Sequence, residues 1–587
     1  MCGIFGMVEN GNVSLDGKLA KMATSISHRG PDDQNWVTRR SLGQTIGYGI
    51  DRLAIIDRSG GKQPISSEDG NVEVVFNGEI YNYGSLKVEL ESQGHVFKTN
   101  SDTEVLVHLY EQHGFGFLHR LRGMFAFSIF DKRAKLLFLA RDHVGIKPLY
   151  YTLDGNRFAF GSEIKAITSA YPGFGINPNA IADYFTFRYI PGPDTIWRGI
   201  HALSPGHHMV YDLRTRELKI DRWWVMDQTV HPDTYENAVG RTRELLVQAV
   251  RRRLQSEVPL GAFLSGGVDS SVICAVAAKE LGTDINVYNV GYPNANEYGY
   301  AGGAARELGL NYFQCGMTFD DMVNILPDVL NHMDQPLSDA ACFPTLHLSR
   351  IAKRGCTVML SGEGADEIFA GYWQYDSILK ARDVNDVGMP AMLDHLERSN
   401  YFLDRKGIVT SDVTRHHNPL TRMPTIWNDY ANTTLQSRIT RMDTLTWLPD
   451  DLLMKVDKMT MGASVEARVP FLDRDLMEYV VRLPDEFKYN GTTKRILKDV
   501  AESFGVSSDI TRRPKMGFTV PTDALLRGPF KEGFKRAIHS QRFRNLGAFL
   551  DMRRIDLIIN QYYAGNKDLT LFCWTLFVFA AWLENQT

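Results

Sequence analysis

The sequence predicts two structural halves: an α+β N-terminal half made of antiparallel hairpins, then an α/β half with a parallel sheet and a helical C-terminal part. Residues 124–139 hold two apolar, aromatic-rich runs on either side of a charged turn. Residues 149–160 repeat this arrangement around Asp154-Gly155-Asn156, a turn sequence typical of β-hairpins. Downstream, short apolar strands alternate with helical stretches, which favours a parallel sheet covered by helices.

The boundary between the halves is predicted from this change of pattern. Residues 236–256 show the apolar spacing of a helix together with many charges. We therefore expect one domain at 2–213 and a second at 235–587, joined by a linker at 214–234. Beyond about residue 375 the pattern is mostly helical.

Composition and charge argue against several classes of protein. A net charge of −4 on 587 residues provides no general attraction to nucleic acid or to an anionic membrane. The six cysteines have no CxxC spacing, so neither a zinc site nor a disulfide framework is predicted, and a reducing cytoplasm is the expected location. The N-terminus lacks the basic start and the long apolar stretch of a signal peptide, so none is expected. The apolar stretch 569–583 is short for a membrane span, so we expect a buried terminal helix there.

Cys2 is the first candidate for chemistry. A small second residue allows Met1 to be removed, and Cys2 would then carry both a thiol nucleophile and a free α-amino group. That amine titrates near ~8 when unperturbed, so it can act as a general base for the thiol. A single cysteine is otherwise most often a small buried apolar residue, so this interpretation depends on the segments that follow.

Three further segments supply what a thiol needs to cleave an amide. Asn77 and Gly78 follow the alternating strand 72–76, where an amide and a backbone N–H can stabilise an oxyanion. Arg52 can pair with a carboxylate, and Asp102 can accept from an ammonium group. Together these groups describe a site for free glutamine, although each segment alone more often forms a turn, a surface ion pair or a helix cap.

The order of these segments and the residues in them resemble those of the class II glutamine amidotransferase domain. The matching motifs are Cys2-Gly-Ile-Phe-Gly, His28-Arg-Gly-Pro-Asp32, Arg52-Leu-Ala-Ile-Ile-Asp57, Phe76-Asn-Gly-Glu-Ile80 and Ser101-Asp102. The resemblance implies an N-terminal-nucleophile hydrolase fold, an αββα sandwich, in which Cys2 attacks glutamine while Asn77 and Gly78 hold the oxyanion. It further implies that glutamine is bound by Arg52, Leu53, Ala54, Ile55, Ile56, Asn77, Gly78, Glu79 and Asp102. We assign the 28–32 loop no direct role in the reaction and expect it to support the pocket.

A phosphate-binding loop is predicted in the second half. The apolar strand 259–264 leads into 265–271 (SGGVDSS) and then into a helical run. Backbone N–H groups at such a helix start, together with the serine hydroxyls, can hold pyrophosphate, and Asp269 is a suitable Mg²⁺ ligand. A second strand end, 356–360, is followed by SGEGADE, which offers Asp366 as another Mg²⁺ ligand. The loop resembles that of ATP pyrophosphatases, which cleave ATP between the α and β phosphates.

Four motifs together resemble one family, the glutamine-hydrolysing asparagine synthetases: SGGVDSS, SGEGADEIFAGY, VEARVPFLD and Lys494 in GTTKRILK. The resemblance implies glutamine, aspartate and ATP as substrates, with Mg²⁺, and a homodimer. Glu363 would support the aspartyl adenylate and Lys494 would stabilise phosphate charge, while Glu466 and Arg468 would form an internal ion pair of the scaffold. The implied contacts to ATP and pyrophosphate are Leu264, Ser265, Gly266, Gly267, Asp269, Ser270, Ser271, Val290, Ser361 and Gly362.

One region departs from the family pattern and leaves the acceptor open. After Val290 such enzymes usually show an Asp-Glu pair and a later His, whereas this chain keeps Glu297, preceded by Asn296, and has no His in the segment 294–313. The same machinery could therefore amidate another carboxylate in natural-product or polysaccharide biosynthesis. A β-lactam-forming relative, a tRNA-thiolating enzyme and a binding protein with dead sites fit the intact motifs and the acidic charge less well.

Overall fold

The computed structural model describes residues 2–155, 157–292, 297–382, 387–399, 407–513 and 520–586. Met1, Asn156 and Asn296, which the sequence-based predictions name, lie outside these residues.

Antiparallel strands dominate the first half. The strands are β1 (Cys2–Asn10), β2 (Asp33–Ser41), β3 (Gln44–Arg52), β4 (Ile65–Ser66), β5 (Val72–Ile80), β6 (Gly123–Asp131), β7 (Leu136–Arg141), β8 (Tyr150–Asp154), β9 (Arg157–Gly161), β10 (Ile200–Ala202), β11 (His207–Asp212) and β12 (Leu218–Arg222). The helices are α1 (Asp16–Ile26), α2 (Tyr83–Ser92), α3 (Glu104–His113), α4 (Ile164–Ala170) and α5 (Pro178–Phe187).

These strands form two stacked sheets. Within the described residues their orders are β10-β8-β9-β1-β3-β2 and β12-β11-β7-β6-β5-β4. Ile4 and Ile50 of the first sheet pack with Val75 and Leu139 of the second in one buried cluster. Helices α1 and α4 cover the first sheet and α3 contacts the second, so the predicted αββα sandwich is confirmed. The two predicted hairpins are β6–β7 and β8–β9.

The segment predicted as a linker, 214–234, is partly a strand. β12 pairs with β11 in antiparallel register from His207↔Arg222 to Tyr211↔Leu218. The second sheet therefore extends beyond the predicted boundary at residue 213. Sequence composition did not indicate this because β12 is short, polar and at the edge of its sheet.

A parallel sheet organises the second half. Its strands are β13 (Leu260–Phe263), β14 (Asn286–Gly291), β15 (Asn311–Gly316), β16 (Val358–Leu360) and β17 (Glu466–Arg468). The order among the described residues is β15-β14-β13-β16-β17, and every pair is parallel. The carboxyl ends of these strands therefore meet at one edge of the sheet, where α/β proteins place their ligands.

Helices surround this sheet and form the C-terminal part, as predicted. They are α6 (Tyr235–Arg253), α7 (Val268–Ala275), α8 (Tyr298–Leu308), α9 (Phe319–His332), α10 (Cys342–Ala352), α11 (Ala365–Phe369), α12 (Trp373–Ala381), α13 (Met389–Arg398), α14 (Ser411–Thr414), α15 (Arg422–Asp429), α16 (Leu435–Leu445), α17 (Leu453–Met461), α18 (Arg474–Val480), α19 (Asp485–Lys488), α20 (Arg495–Ser503), α21 (Ser508–Thr511), α22 (Thr522–Arg527), α23 (Lys531–His539), α24 (Gln541–Arg544), α25 (Met552–Tyr563) and α26 (Thr570–Asn585).

The apolar C-terminal stretch is the buried helix α26, which packs against α22 and α23. Among the helices in the described part of the chain, none combines the length and the apolar character that a membrane crossing requires.

Candidate active sites

Cys2 lies at the start of β1, buried between the two halves of the protein. Its backbone nitrogen donates to Asn77 Oδ1 at 3.1 Å, and its carbonyl oxygen accepts from Arg29 Nε at 3.1 Å. The Arg29 guanidinium also binds Asp457 of α17, at 2.7 Å and 3.1 Å, so the second half of the chain helps to fix the position of Cys2. Burial raises the pKa of the Cys2 thiol, opposed in part by the backbone N–H of Leu53. The thiol is therefore protonated near neutral pH and needs a base to react.

The loop after β3 carries the predicted glutamine-binding run. Arg52 lies opposite Cys2 in the β1–β3 register. Its guanidinium already donates to the carboxylate of Asp33 at 2.9 Å and to the carbonyls of Ile56, Asp57 and Arg58. To bind a substrate carboxylate it would therefore have to exchange one of these partners.

Contacts from both directions hold this loop in place. Asp32 accepts from the Ala54 N–H at 2.8 Å, so the 28–32 loop braces the pocket in this structure. Glu257, from the second half of the chain, donates through its backbone N–H to the Ile55 carbonyl at 3.1 Å. The backbone of Leu53 faces the thiol, as described above. Of the five residues predicted at 52–56, Arg52 and Leu53 thus lie next to Cys2, and the other three continue the same loop.

Asn77, Gly78 and Glu79 lie inside β5, and not beyond its end as predicted. β5 continues to Ile80, and Gly78 pairs with Phe125 of β6. The mainly apolar part of β5 ends at Phe76, and the polar residues Asn77 and Glu79 that follow it contact Cys2 and Arg468. A Cβ at position 78 would meet the Met124 carbonyl oxygen at 2.0 Å, so only glycine permits this approach of the two strands.

A buried cluster of charges lies next to this strand and includes residues of the second half. Arg468, at the end of β17, binds Glu79 at 3.1 Å and Glu466 at 2.5 Å, with its side chain fully buried. The predicted Glu466–Arg468 ion pair is therefore present, but Arg468 also reaches the predicted glutamine site. Burial raises the pKa of Glu79 well above its ordinary value, with the Glu466 and Asp102 carboxylates adding to the shift and Arg468 opposing it.

Asp102 is a further buried carboxylate of the predicted glutamine site. Its Oδ2 accepts from the Ile80 N–H at 2.8 Å. Burial, together with the nearby Glu466 carboxylate, raises the pKa of Asp102 to about 6. Near neutral pH it is thus a buried carboxylate that gains by meeting a cation, such as an α-ammonium group.

The glycine-rich loop lies at the carboxyl end of β13, as predicted. Gly266 has φ +75°, and a Cβ there would meet the backbone nitrogen of Ala301 at 2.6 Å. The Ser270 hydroxyl contacts Ser265 Oγ and accepts from the Ser265 N–H, both at 3.2 Å, which fixes the loop against the start of α7. The loop geometry leaves the N-terminus of α7 facing a cavity.

That cavity has a volume of about 360 Å³ and collects most of the predicted nucleotide-binding residues. Its lining includes Leu264, Ser265, Asp269, Ser270, Val290, Ser361, Gly362, Glu363 and Asp366. An adjoining cavity of about 90 Å³ is lined by Gly267 and Lys494, among others. Gly266 and Ser271 line neither cavity: the Gly266 carbonyl accepts from Arg513, and Ser271 is fully buried in α7.

Lys494 contacts one carboxylate from the segment after β13 and one from the segment after β16. Its Nζ lies 2.6 Å from both oxygens of Asp269 and 2.7 Å from Asp366. Burial lowers the pKa of this amine, but the two carboxylates outweigh burial and raise it above its ordinary value. Lys494 is therefore a fixed positive charge beside the phosphate-binding loop.

The same two carboxylates fit the donor set of Mg²⁺. Asp269 and Asp366 converge on one cation, and carboxylate oxygens are the protein ligands that Mg²⁺ prefers. They would hold the ion next to Lys494, where it would neutralise phosphate charge.

Three ion pairs that the motifs did not indicate lie at the cavity walls. Lys455 of α17 lies 3.0 Å from Asp339 and 3.7 Å from Glu363, and these carboxylates outweigh burial and raise its pKa. Glu297 forms an ion pair with Arg513. Their partners are more than 90 positions apart in the sequence, so no local motif could have identified them.

Comparisons with known proteins cover both halves. A family model described as asparagine synthase matches residues 241–584, and one described as glutamine amidotransferase domain matches residues 1–224. The chain is 32% identical to glutamine-hydrolyzing asparagine synthetase 1 of Bacillus subtilis, over 99% of this chain and 96% of that protein. It is 28% identical to Amidase chry2 of Gibberella zeae, over 90% of this chain and 88% of that protein.

Among solved structures, a glutamine phosphoribosylpyrophosphate amidotransferase from B. subtilis is 18% identical over 53% of this chain and 65% of its own, with a TM-score of 0.29. The asparagine synthase model spans more than half of the chain, and the Bacillus relative is more than 30% identical over nearly all of it. The chain therefore belongs to the asparagine synthase family and carries a glutamine amidotransferase domain at its N-terminus.

Proposed function

We propose that this protein is a glutamine-hydrolysing ligase that makes asparagine. Cys2 releases ammonia from glutamine, leaving glutamate. ATP then converts the side-chain carboxylate of aspartate to an acyl adenylate with loss of pyrophosphate. Ammonia displaces AMP from that adenylate to give asparagine.

One observation carries the proposal: two separate clusters of polar and charged side chains lie in the two halves, each with the groups that one half-reaction needs. At one, the Cys2 nitrogen is bound to Asn77 at 3.1 Å next to the buried carboxylates Glu79 and Asp102. At the other, Lys494 lies between Asp269 and Asp366 at the end of a parallel sheet. A thiol amidase explains the first, and cleavage of a nucleotide phosphate explains the second.

In the glutaminase step the residues at the first centre have distinct roles. With Met1 removed, the Cys2 amine takes the thiol proton, which it must do because burial keeps the thiol protonated. Asn77 Nδ2 and the Gly78 N–H stabilise the oxyanion. Asp102 and Arg52 bind the two charged ends of glutamine.

In the ligase step the glycine-rich loop and the start of α7 hold the pyrophosphate. Lys494 stabilises the negative charge that develops as pyrophosphate leaves. Glu363, which follows β16, supports formation of the adenylate. The Lys455 amine lies 3.7 Å from the Glu363 carboxylate and fixes its position. The lysine also offers a cationic contact for an acidic acceptor such as aspartate.

We propose that ammonia passes from one centre to the other inside the protein, since the two halves pack directly against each other through contacts such as Arg29 with Asp457. A small cavity of about 10 Å³ lies between them, lined by Tyr150 of β8 and by Met454 and Lys458 of α17. It is about the size of one water molecule and hence of one ammonia molecule. Transfer within the protein keeps ammonia unprotonated and nucleophilic.

Cys2→Ala tests the division of labour. The variant should lose glutamine-dependent synthesis and keep synthesis from ammonium salts, measured as AMP and asparagine formed. Cys274→Ala, a buried cysteine of α7 outside both centres, is the matched control. Loss of both activities in Cys2→Ala, retention of Met1 in the intact mass, or ADP in place of AMP would contradict the proposal.

A second candidate is amidation of a different carboxylate. It is favoured by the departure from the family pattern at 294–313, where Glu297 is paired with Arg513 at the edge of the nucleotide cavity. Incubation with ATP, glutamine and a panel of carboxylic acids decides between the two. Pyrophosphate release that depends on aspartate supports asparagine synthesis, and release with another acid alone supports the second candidate.

The remaining assignments are also proposals. We propose two domains at 2–213 and 235–587, with β12 of the intervening segment continuing the second sheet of the first domain. A cytoplasmic location and a homodimer complete the proposal. The six cysteines, all described by the structure, are unpaired and buried, which suits a reducing compartment.

A further inference from the structure

A group of histidine and glutamate side chains, of the types that can bind a metal ion, lies in the N-terminal half, apart from both proposed reactive centres. We call Glu68, His95, His108 and Glu111 the His–Glu cluster. Glu68 lies in the turn between β4 and β5, His95 follows α2, and His108 and Glu111 lie one turn apart on α3. One ligand atom from each lies within 4.8 Å of the others.

The spacing within the cluster suits a small cation. Glu68 lies 3.0 Å from His95 Nδ1 and 3.2 Å from His108 Nδ1, through its two oxygens. Glu111 lies 3.8 Å from His108 Nδ1. Ligands about 2.1 Å from a tetrahedral metal ion are about 3.4 Å from one another, so small side-chain movements would close the site.

His108 provides a second, independent observation. Its side chain is fully buried, yet neither ring nitrogen has a hydrogen-bond partner of good geometry. A buried imidazole without such a partner is destabilising unless something else contacts its lone pair. Its Nδ1 points toward the carboxylates of Glu68 and Glu111, where a cation would satisfy it.

The outer nitrogens of both rings face acceptors, as they do in metal sites. His95 Nε2 lies 3.4 Å from Gln112 Oε1, and His108 Nε2 lies 3.5 Å from Glu104 Oε1. Glu104 is itself fixed by the N–H groups of Lys98 and Thr99, both at 2.7 Å. Acceptors near the outer nitrogens favour the tautomer in which Nδ1 carries the lone pair that a metal ion would bind.

We propose that the His–Glu cluster binds a divalent transition-metal ion, with Zn²⁺ as the best match. Two imidazole nitrogens and two carboxylate oxygens form a ligand set that Zn²⁺ accepts in tetrahedral geometry. Four protein ligands close the site, so its role is to stabilise structure and not to activate water.

The site joins three segments whose neighbouring elements already share a buried apolar cluster, which includes Ile65 of β4, Leu90 of α2 and Leu106 of α3. The ion would tie the β4–β5 turn and the loop after α2 to helix α3. Helix α3 begins at Glu104, two residues after Asp102, which we place in the glutamine site. Metal binding would therefore stabilise the amidotransferase domain and the start of that helix.

The test is metal binding by the full-length protein after treatment with a chelator. Zn²⁺ is titrated against a chromophoric chelator in a Cys2→Ala background, which removes the N-terminal thiol as a competing ligand. We expect one equivalent to bind, and Co²⁺ to give the strong d–d absorption of a tetrahedral site. At a hundredfold excess over Kd, Zn²⁺ should raise the Tm of the N-terminal domain by about 5–10 °C.

His95→Gln and His108→Gln should each lower the affinity for Zn²⁺ and remove the Tm shift. The loss of affinity should exceed the factor of about 10 to 100 that results from losing a hydrogen-bond partner of a ligand, because here the ligand itself is lost. His113→Gln, an exposed histidine of the same helix, is the matched control and should bind as the parent does. Should His108→Gln fail to fold, the more exposed His95→Gln decides. Parent protein that binds no Zn²⁺ at micromolar concentration, or His95→Gln that binds as tightly as the parent, would overturn the proposal.

Discussion

Asp102→Asn is expected to increase the stability of the protein while it impairs the use of glutamine. Burial and the Glu466 carboxylate raise the pKa of Asp102 to about 6, from an ordinary value of 3.8. The native state therefore holds this proton more tightly than the unfolded chain does, and the unfolding free energy falls as pH rises from about 4 to about 6. At about 1.4 kcal/mol per pKa unit, the ionised carboxylate costs about 3 kcal/mol above pH 6.

The asparagine side chain removes this charge and keeps the contact. Its Oδ1 can accept from the Ile80 N–H, as Asp102 Oδ2 does at 2.8 Å. At pH 7.5 the Tm of the N-terminal domain should rise by about 5–10 °C, and the gain should shrink toward zero near pH 4. Differential scanning calorimetry across this pH range measures the difference, with exposed Asp154→Asn of the same domain as the control.

The same substitution removes the partner proposed for the ammonium group of glutamine. A hydrogen bond between charged groups contributes about 1.5–3 kcal/mol, so glutaminase kcat/KM should fall about 10- to 100-fold. Activity with ammonium salts should not change. A Tm below that of the parent at pH 7.5 would refute the reasoning about the raised pKa, and an unchanged KM for glutamine would refute the ligand assignment.

Three further substitutions test the other charges. Lys494→Met should lower acceptor-dependent pyrophosphate release by about 10²–10³-fold, because it removes the fixed charge at the phosphates, while glutaminase activity persists. Arg468→Met should destabilise the protein by about 3–5 kcal/mol in urea unfolding, since it leaves buried carboxylates unpaired, and Arg468→Lys should recover part of the loss. Burial and the Asp366 carboxylate raise the pKa of Glu367 to about 8, so this side chain is mostly neutral at pH 7. Glu367→Gln should therefore keep the rate of pyrophosphate release within about twofold of the parent at pH 7. A large loss would show that the ionised form is needed.

Local patterns predicted much of the fold. The hairpins β6–β7 and β8–β9 follow from two apolar runs around a turn, and β13 with the start of α7 follows from a strand, glycines and a helix start. These elements form where their own residues favour them, so nearby sequence is enough. The polar edge strand β12 has no such local pattern, and only its pairing with β11 reveals it.

Contacts across the chain explain what the sequence could not predict at the sites. Lys455, Asp339 and Glu363 meet from three separate elements, and the His–Glu cluster draws on three segments with no motif spacing. Ser271 lies in the predicted loop motif, yet the turn of α7 directs it into the core instead of the cavity. A motif gives residue types and order, whereas the direction of each side chain is set by packing.

Arg468 shows how the two reactive centres are physically connected. Its side chain binds Glu79 beside the glutamine site, while its backbone carbonyl accepts from the Ser361 N–H at 2.8 Å, at the edge of the nucleotide cavity. Strand β17 pairs with β16 in parallel, so this bond fixes the strand end that leads to Glu363. A displacement of Glu79 on glutamine binding would pull on the same residue that positions the nucleotide loop. Because the side chain is fully buried and Glu466 also binds it, the guanidinium cannot move without breaking contacts in both halves. Arg468 therefore contacts both proposed centres. We expect nucleotide binding to alter glutamine affinity through it, and glutamine binding to alter nucleotide affinity by the same factor.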